Sequence, residues 1–406
     1  MTFDLEKVRA DFPILSEVIH KNRLVYLDSG ASAQKPNAVL ERMDWAHKHA
    51  YANVHRGLHT LANRATEAYE GGREAVRRLL NASRVEEIIF TKSATEAINL
   101  VASSFAGPRI GAGDEIVLTI MEHHSNIVPW HFHRERKGAV LKWVDVRDDG
   151  SFDIDAFEAA LTDRTRIVAV THMSNVLGTI TPIKQIVEIA HARGIPVLVD
   201  GSQGAVHEKV DVQDLGVDFY VATGHKLYGP TGIGVLYGKY DLLAEMQPFL
   251  GGGEMIETVT LDAVTYNAPP HRFEAGTPPI VQGIGLGAAI DYVDGLGRDA
   301  IAAHEAELAE YAAERLQRIN SLRMIGTAPG KGAIFSFEIK GAHAHDVSTI
   351  LDRYGIAVRA GTHCAMPLLT RFGVTSTCRA SFALYNGKDD VDALVDGIER
   401  AKSFFS

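Results

Sequence analysis

The stretch Ile183-Lys184-Gln185-Ile186-Val187-Glu188-Ile189-Ala190-His191-Ala192-Arg193-Gly194-Ile195-Pro196-Val197-Leu198-Val199-Asp200 decides the fold class. Ile183, Ile186, Val187 and Ala190 recur at helical spacing, Gly194 suits a left-handed cap, and Pro196 to Asp200 is a short β-branched run ending on an acid. Further runs of this kind are Ile88 to Thr91, Glu115 to Ile120, Val140 to Val146, Arg166 to Thr171, Phe219 to Thr223 and Ile233 to Tyr237. Amphipathic stretches separate them. The alternation predicts an α/β domain built on a mostly parallel sheet with crossover helices.

Beyond Gly251-Gly252-Gly253, Pro269-Pro270 and Pro278-Pro279 the pattern changes to a long helix around Asp299 to Ile319. A strand Ala333 to Ile339, a helix His345 to Tyr354, a strand Ile356 to Arg359, a loop holding Cys364, a strand Cys378 to Leu384 and a helix Lys388 to Phe404 complete it. We therefore expect a large domain over 18–285, and a smaller α+β domain over 286–406 that includes the N-terminal segment 1–17. With 406 residues, the chain is long enough for both.

Composition narrows the function. A net charge of -10 argues against a nucleic-acid binder, which needs a basic face. No long apolar run or leader-like N-terminus is present, so no membrane association is expected. Two cysteines, Cys364 and Cys378, are too few for a disulfide framework and suit a reducing cytoplasm. They lack zinc-ligand spacing, so no metal is expected.

Ligands of open parallel sheets sit beyond the carboxyl ends of the strands, which draws attention to Ser93, His123, Asp200 and Lys226. Ser93-Ala94-Thr95-Glu96 reads as a capping box whose free N–H groups suit a phosphate, although an ordinary capped helix has the same signature. Asp200 needs a cationic partner if buried, or is a plain helix cap. Lys226 lies between a strand end and the glycine-rich Gly229-Pro230-Thr231-Gly232, which fits an amine kept neutral enough for covalent chemistry rather than a solvated lysine. Cys364 has His363 and Arg359 nearby, which would favour a thiolate; Cys378 reads as a buried structural thiol.

Together with Tyr26-Leu27-Asp28, His55-Arg56-Gly57, Met121-Glu122-His123-His124, His172 to Gly178, Asp200-Gly201-Ser202-Gln203, Gly224-His225-Lys226, Arg272 to Pro278 and Arg359 to Pro367, these residues resemble the fold-type I, class V aminotransferase-like enzymes. The resemblance is closest to the SufS-type, group II cysteine desulfurases and spans nearly the whole chain. It implies pyridoxal 5'-phosphate as cofactor, on a large domain with a mostly parallel seven-stranded sheet. Lys226 resembles the lysine that bears the cofactor, Asp200 the partner of its pyridine nitrogen, Gln203 the ligand of its phenolic oxygen, and His123 the residue stacked on its ring and a catalytic helper. Ala94, Thr95, Thr223 and His225 resemble the phosphate cradle, while Thr277 resembles a threonine that reaches the phosphate of a neighbouring subunit and so implies a homodimer. Asn175, Arg359, Arg379, His55 and Arg56 resemble substrate contacts.

The activity implied is conversion of L-cysteine to L-alanine, with the sulfur held on Cys364 as a persulfide and passed to a SufE-like or SufU-like acceptor for iron–sulfur cluster assembly. L-selenocysteine is a second implied substrate. Other class V chemistry such as transamination, and a non-catalytic sulfur-relay scaffold, remain alternatives. Transamination needs no loop thiol, so Cys364 argues against it. Thr362 departs from the family pattern, where a second histidine is common.

Overall fold

The structure, a computed structural model, describes residues 3–405; Met1 and Thr2 of the expected N-terminal segment, and Ser406, lie outside the described residues. The large sheet is built from β1 (Ile88–Thr91), β2 (Glu115–Thr119), β3 (Val140–Val144), β4 (Thr165–Thr171), β5 (Val197–Asp200), β6 (Phe219–Thr223) and β7 (Gly234–Gly238). Its seven strands run in the order β1-β7-β6-β5-β4-β2-β3, and β7 alone is antiparallel to its neighbours. Strands β1, β2, β5, β6 and β7 are buried along their whole length, which is why they read as continuous apolar runs. Edge strand β3 is largely open to solvent.

Helix α1 (Thr60–Leu80) packs against one face of the sheet with α3 (Ile183–His191) and α4 (Ile280–Leu296), while α2 (Ala94–Leu100) packs against the other. Helix α4 meets α1 without side chains between them: a Cβ on Gly72 would stand 2.3 Å from the Gly283 carbonyl oxygen. The boundary drawn at 285/286 falls inside α4, whose Ile280, Ile284, Leu286 and Ile290 all belong to the large domain's core.

The smaller sheet contains β8 (Leu322–Ile325), β9 (Ile334–Ile339), β10 (Arg359–Gly361) and β11 (Thr377–Ser381), antiparallel in the order β8-β9-β11-β10. Helices α5 (Arg298–Gln317), α6 (Ala344–Arg353) and α7 (Lys388–Ser403) cover it. The expected strand Ile356 to Arg359 divides: Ile356–Ala357 pairs in parallel with Val25–Tyr26, and only from Arg359 does the chain join β11. Val8 and Phe12 pack with Ile301, Leu384 and Tyr385, so the N-terminal segment lies with C-terminal elements. A solvent-exposed hairpin, Ile256–Val259 with Val264–Tyr266, occupies a region that the glycine and proline clusters mark as turns. Among the described residues no helix is long and apolar enough to cross a membrane.

Candidate active site

The carboxyl ends of β4, β5 and β6 converge on a cavity of about 280 Å³, closed from the other side by β10, β11 and the loop between them. Lys226 follows β6 and forms part of the wall. Removal from water lowers its pKa to about 8, against the pull of Asp200. Asp200 ends β5, and both contacts from Ser202, through its N–H (3.0 Å) and its hydroxyl (2.6 Å), fall on Oδ1. Asp200 lines the cavity, and these contacts leave its Oδ2 free. The acid is held in one orientation with an oxygen to spare.

His123 lies on the turn after β2. Its Nδ1 accepts the Ser125 backbone N–H at 3.2 Å, which puts the proton of the neutral ring on Nε2. Burial and the nearby Lys226 lower its pKa to about 4, so the ring is uncharged at neutral pH. His225, beside Lys226, is likewise pushed down to about 4 by burial.

At the other end of the cavity Ser93 caps α2, its hydroxyl accepting the Glu96 N–H at 3.3 Å. The Glu96 carboxylate reaches back to the Lys92 N–H rather than to Ser93, one residue further than a capping box requires. Strand β7 approaches this turn so closely that a Cβ on Gly234 would stand 2.4 Å from the Ser93 carbonyl carbon. The Thr223 hydroxyl is buried beside it with no hydrogen-bond partner, an expensive arrangement unless a ligand completes it.

Two arginines line the opposite wall. Arg359 presents its Nε and Nη2 to both oxygens of Asp28, at 2.8 to 3.1 Å. Arg379 is fully buried, donates to the Asn175 carbonyl at 2.9 Å and to Asp28 at 3.3 Å, and keeps an unpartnered buried Nε. One carboxylate thus serves two guanidinium groups, and the excess positive charge suits an incoming carboxylate.

Cys364 is exposed at the cavity mouth, and both it and His363 adopt left-handed backbone (φ +54° and +51°). The His363 ring turns inward, with Nε2 2.8 Å from the Thr377 hydroxyl, and burial lowers its pKa to about 3. It is neutral and therefore supplies no positive charge to the thiol, contrary to the expectation drawn from its place in the sequence. Cys378 is buried, its Sγ donating to the Ala344 carbonyl at 3.1 Å, and burial pushes its pKa up to about 12.

The cavity therefore gathers an amine of lowered basicity, an oriented acid, a neutral imidazole, an unpartnered hydroxyl, two guanidinium groups sharing one carboxylate, and a thiol at its mouth. The aminotransferase class-V pattern matches residues 25–394. The chain belongs to the aminotransferase class-V family. Within that family it is 51% identical over 399 residues to a probable cysteine desulfurase of Halalkalibacterium halodurans, covering 98% of each chain. The solved structure of the cysteine desulfurase CsdA from Escherichia coli matches with a TM-score of 0.93 at 42% identity over the whole of both chains. The apo cysteine desulfurase of Thermococcus onnurineus NA1 matches with a TM-score of 0.93 at 38% identity over 98% of each. The fold-type I architecture expected from the sequence is the one present.

The class-V family is pyridoxal phosphate-dependent, and the groups present would suit it: Lys226 would bear it, Asp200 would meet its ring nitrogen, and Thr223 with the start of α2 would hold its phosphate. Gln203 donates one amide hydrogen to the Gly30 carbonyl at 2.7 Å, which leaves a second for the cavity. Ala94, Thr95, His123, Asn175, Asp200, Gln203, Thr223, His225, Lys226, Arg359, Cys364 and Arg379 all line the cavity. Asn175 turns its side-chain amide to the His363 carbonyl at 2.8 Å, so it braces the cysteine loop.

Three expected residues stand outside it. His55 bonds to Glu70 at 2.8 Å, and Arg56 pairs with Glu254 at 3.1 Å. Thr277 lies beside Lys92 and Glu96. Its loop is anchored by Glu274, which accepts two bonds from buried Arg73, at 2.5 and 2.9 Å, and one from the Phe90 N–H at 2.7 Å. Asp28, Ser202 and His124 are site residues to which the sequence assigned no role; Asp28 and His124 owe their importance to partners distant in the chain, Ser202 to its hold on Asp200.

Proposed function

We propose that this chain is a pyridoxal phosphate-dependent cysteine desulfurase in which Lys226 carries the cofactor and Cys364 receives the substrate's sulfur. The observation that carries the reading is the placement of an exposed thiol on the rim of the cavity that holds Lys226 and Asp200, opposite an arginine pair short of negative charge. When bound, the cofactor acts as an electron sink for charge developing at the substrate's α-carbon.

The residues divide the remaining work. Asp200 holds the proton on the ring nitrogen. Arg379, with Arg359, takes the substrate carboxylate and so sets which bond at the α-carbon faces Lys226, whose amine removes the proton there. Cys364 as its thiolate attacks the substrate Sγ, breaking the C–S bond and forming S–S, and the alanine carbon is reprotonated with help from the Nε2–H of His123.

His55, Arg56 and Thr277 are proposed to serve a second copy of the chain. His55 and the loop before Thr277 are joined through Glu70, Arg73 and Glu274, and Tyr51, Leu58 and Leu61, close to His55 and Arg56 in the chain, are exposed apolar residues that a second copy could cover. The sulfur is proposed to pass to a SufE-like or SufU-like protein in the cytoplasm for iron–sulfur cluster assembly, and selenocysteine is proposed as a second substrate.

The test is to supply the cofactor-loaded enzyme with L-cysteine and measure alanine and protein-bound persulfide in wild type and Cys364→Ser. Stoichiometric alanine and persulfide in wild type, with both lost in the variant, is the expected result. 3-Mercaptopyruvate without persulfide would replace this reading with transamination.

A further inference from the structure

Two consecutive non-glycine residues in left-handed backbone, His363 and Cys364, form a turn that persists only where its surroundings hold it. On the upstream side it is held by the Asn175 amide on the His363 carbonyl and by the His363 ring on Thr377. Immediately downstream, two tethers come from one residue. The backbone N–H of His124 donates to the Cys364 carbonyl at 2.7 Å, and its ring Nε2 accepts the Met366 N–H at 3.2 Å.

Met366 is the first residue of the short helix Met366–Arg371, whose N-cap residue, Ala365, provides no side-chain cap. An orphan N–H at that position needs an acceptor, and the His124 ring supplies it from another part of the chain.

We infer that His124 is the positioning residue of the cysteine loop, clasping Cys364-Ala365-Met366 from both sides and so fixing where the thiol stands over the cavity. The inference rests on Cys364 being the sulfur-accepting group. A main-chain N–H can only donate, so the clasp requires an unprotonated Nε2. An imidazolium would lose the bond and would also face the positive end of the helix.

Burial lowers the pKa of His124, which keeps the clasp closed at neutral pH. The titratable groups about it are His123 on its own turn, with ring centroids 6.4 Å apart, Cys364 and His363 on the loop it clasps, and Arg371 at the far end of the helix Met366–Arg371. The neutral His363 cannot substitute for it, since its ring is committed to Thr377.

The experiment compares wild-type, His124→Ala and His124→Gln holoenzymes by two readouts: kcat and KM for L-cysteine across pH, and the rate at which iodoacetamide alkylates Cys364, located by peptide mass. His124→Ala is expected to lose about tenfold in kcat, the scale of one lost hydrogen bond, with KM little changed and alkylation several-fold faster as the loop loosens. His124→Gln, whose side-chain oxygen can accept the Met366 N–H, should restore both values and lose the acid limb of the kcat profile. Wild-type kcat and alkylation in His124→Ala would overturn the inference, and so would a His124→Gln enzyme as impaired as the alanine variant. Alkylation reads the loop without turnover, so it still reports on the clasp if Cys364→Ser proves active and the sulfur-accepting role falls.

Discussion

Asp28 sits between Arg359 and Arg379 and is the nearest anion to both, accepting at 2.8 Å from the first and 3.3 Å from the second. An asparagine there keeps the volume but removes the charge and leaves a single acceptor oxygen, so the Arg359 fork loses its fixed direction. For Asp28→Asn we expect KM for cysteine to rise about tenfold, equivalent to about 1.4 kcal/mol of substrate binding, with kcat nearly unchanged. Steady-state kinetics would check this, and an unaltered KM would mean that the arginines are positioned without Asp28. Asp200 and Lys226 were legible because the first ends a buried strand and the second lies just beyond one, a position that chemistry favours in open sheets. Asp28 was not, since it follows the two-residue strand Val25–Tyr26 and acquires its partners from segments more than 300 residues away. His363 shows the reverse error: sequence adjacency to Cys364 suggested a charged neighbour, whereas the left-handed turn sends its ring into the interior.

At the scale of elements, helix α4 escaped the sequence reading for a physical reason. It is buried on nearly all sides, so its apolar residues show no helical period, and Gly283, Gly285 and Gly287 resemble a loop until α1 is laid against them. The strands were easier. Burial on both faces makes each an apolar run, and the ends of β1 and β6 fall where the sequence placed them. The α1–α4 crossing demands glycine at Gly72, because a Cβ there would stand 2.3 Å from the Gly283 carbonyl oxygen and 3.0 Å from its carbonyl carbon, both backbone atoms that can give only if a helix moves. Gly72→Ala is therefore expected to destabilise the protein by about 1 to 3 kcal/mol despite the better helix propensity of alanine. Urea unfolding checks it, and a variant as stable as wild type would show that the helices separate freely. The clasp on Cys364 belongs to the same scale, joining the turn after β2 to the helix Met366–Arg371.

Over the whole molecule, the buried histidines make stability depend on pH in a direction that can be worked out. Burial lowers the pKa of His123, His172 and His225 to about 4 and that of His363 to about 3, from an ordinary 6.5. As pH falls from 6.5 to 5 the unfolded chain takes up a proton at each of these positions while the folded chain does not, so stability is lost. Glu122 acts oppositely. Burial raises its pKa to about 8, so the folded chain holds a proton there that the unfolded chain has released. With the downward shifts of His124, His133 and His271 and the upward shifts of His207 and Glu208 included, seven groups stand against three and stability falls with acid, at about 1.4 kcal/mol per pH unit for each proton of net difference. The urea midpoint of the holoenzyme should therefore decline between pH 6.5 and 5, above the range in which ordinary carboxylates titrate. His172 offers the sharpest check, because it lies outside the cavity and its Nδ1 meets the Tyr220 hydroxyl at 2.8 Å. Asparagine can keep that contact without titrating, so His172→Asn should flatten the slope by up to one proton's worth. A midpoint independent of pH in wild type, or an unchanged slope in the variant, would show that these rings take up protons without unfolding.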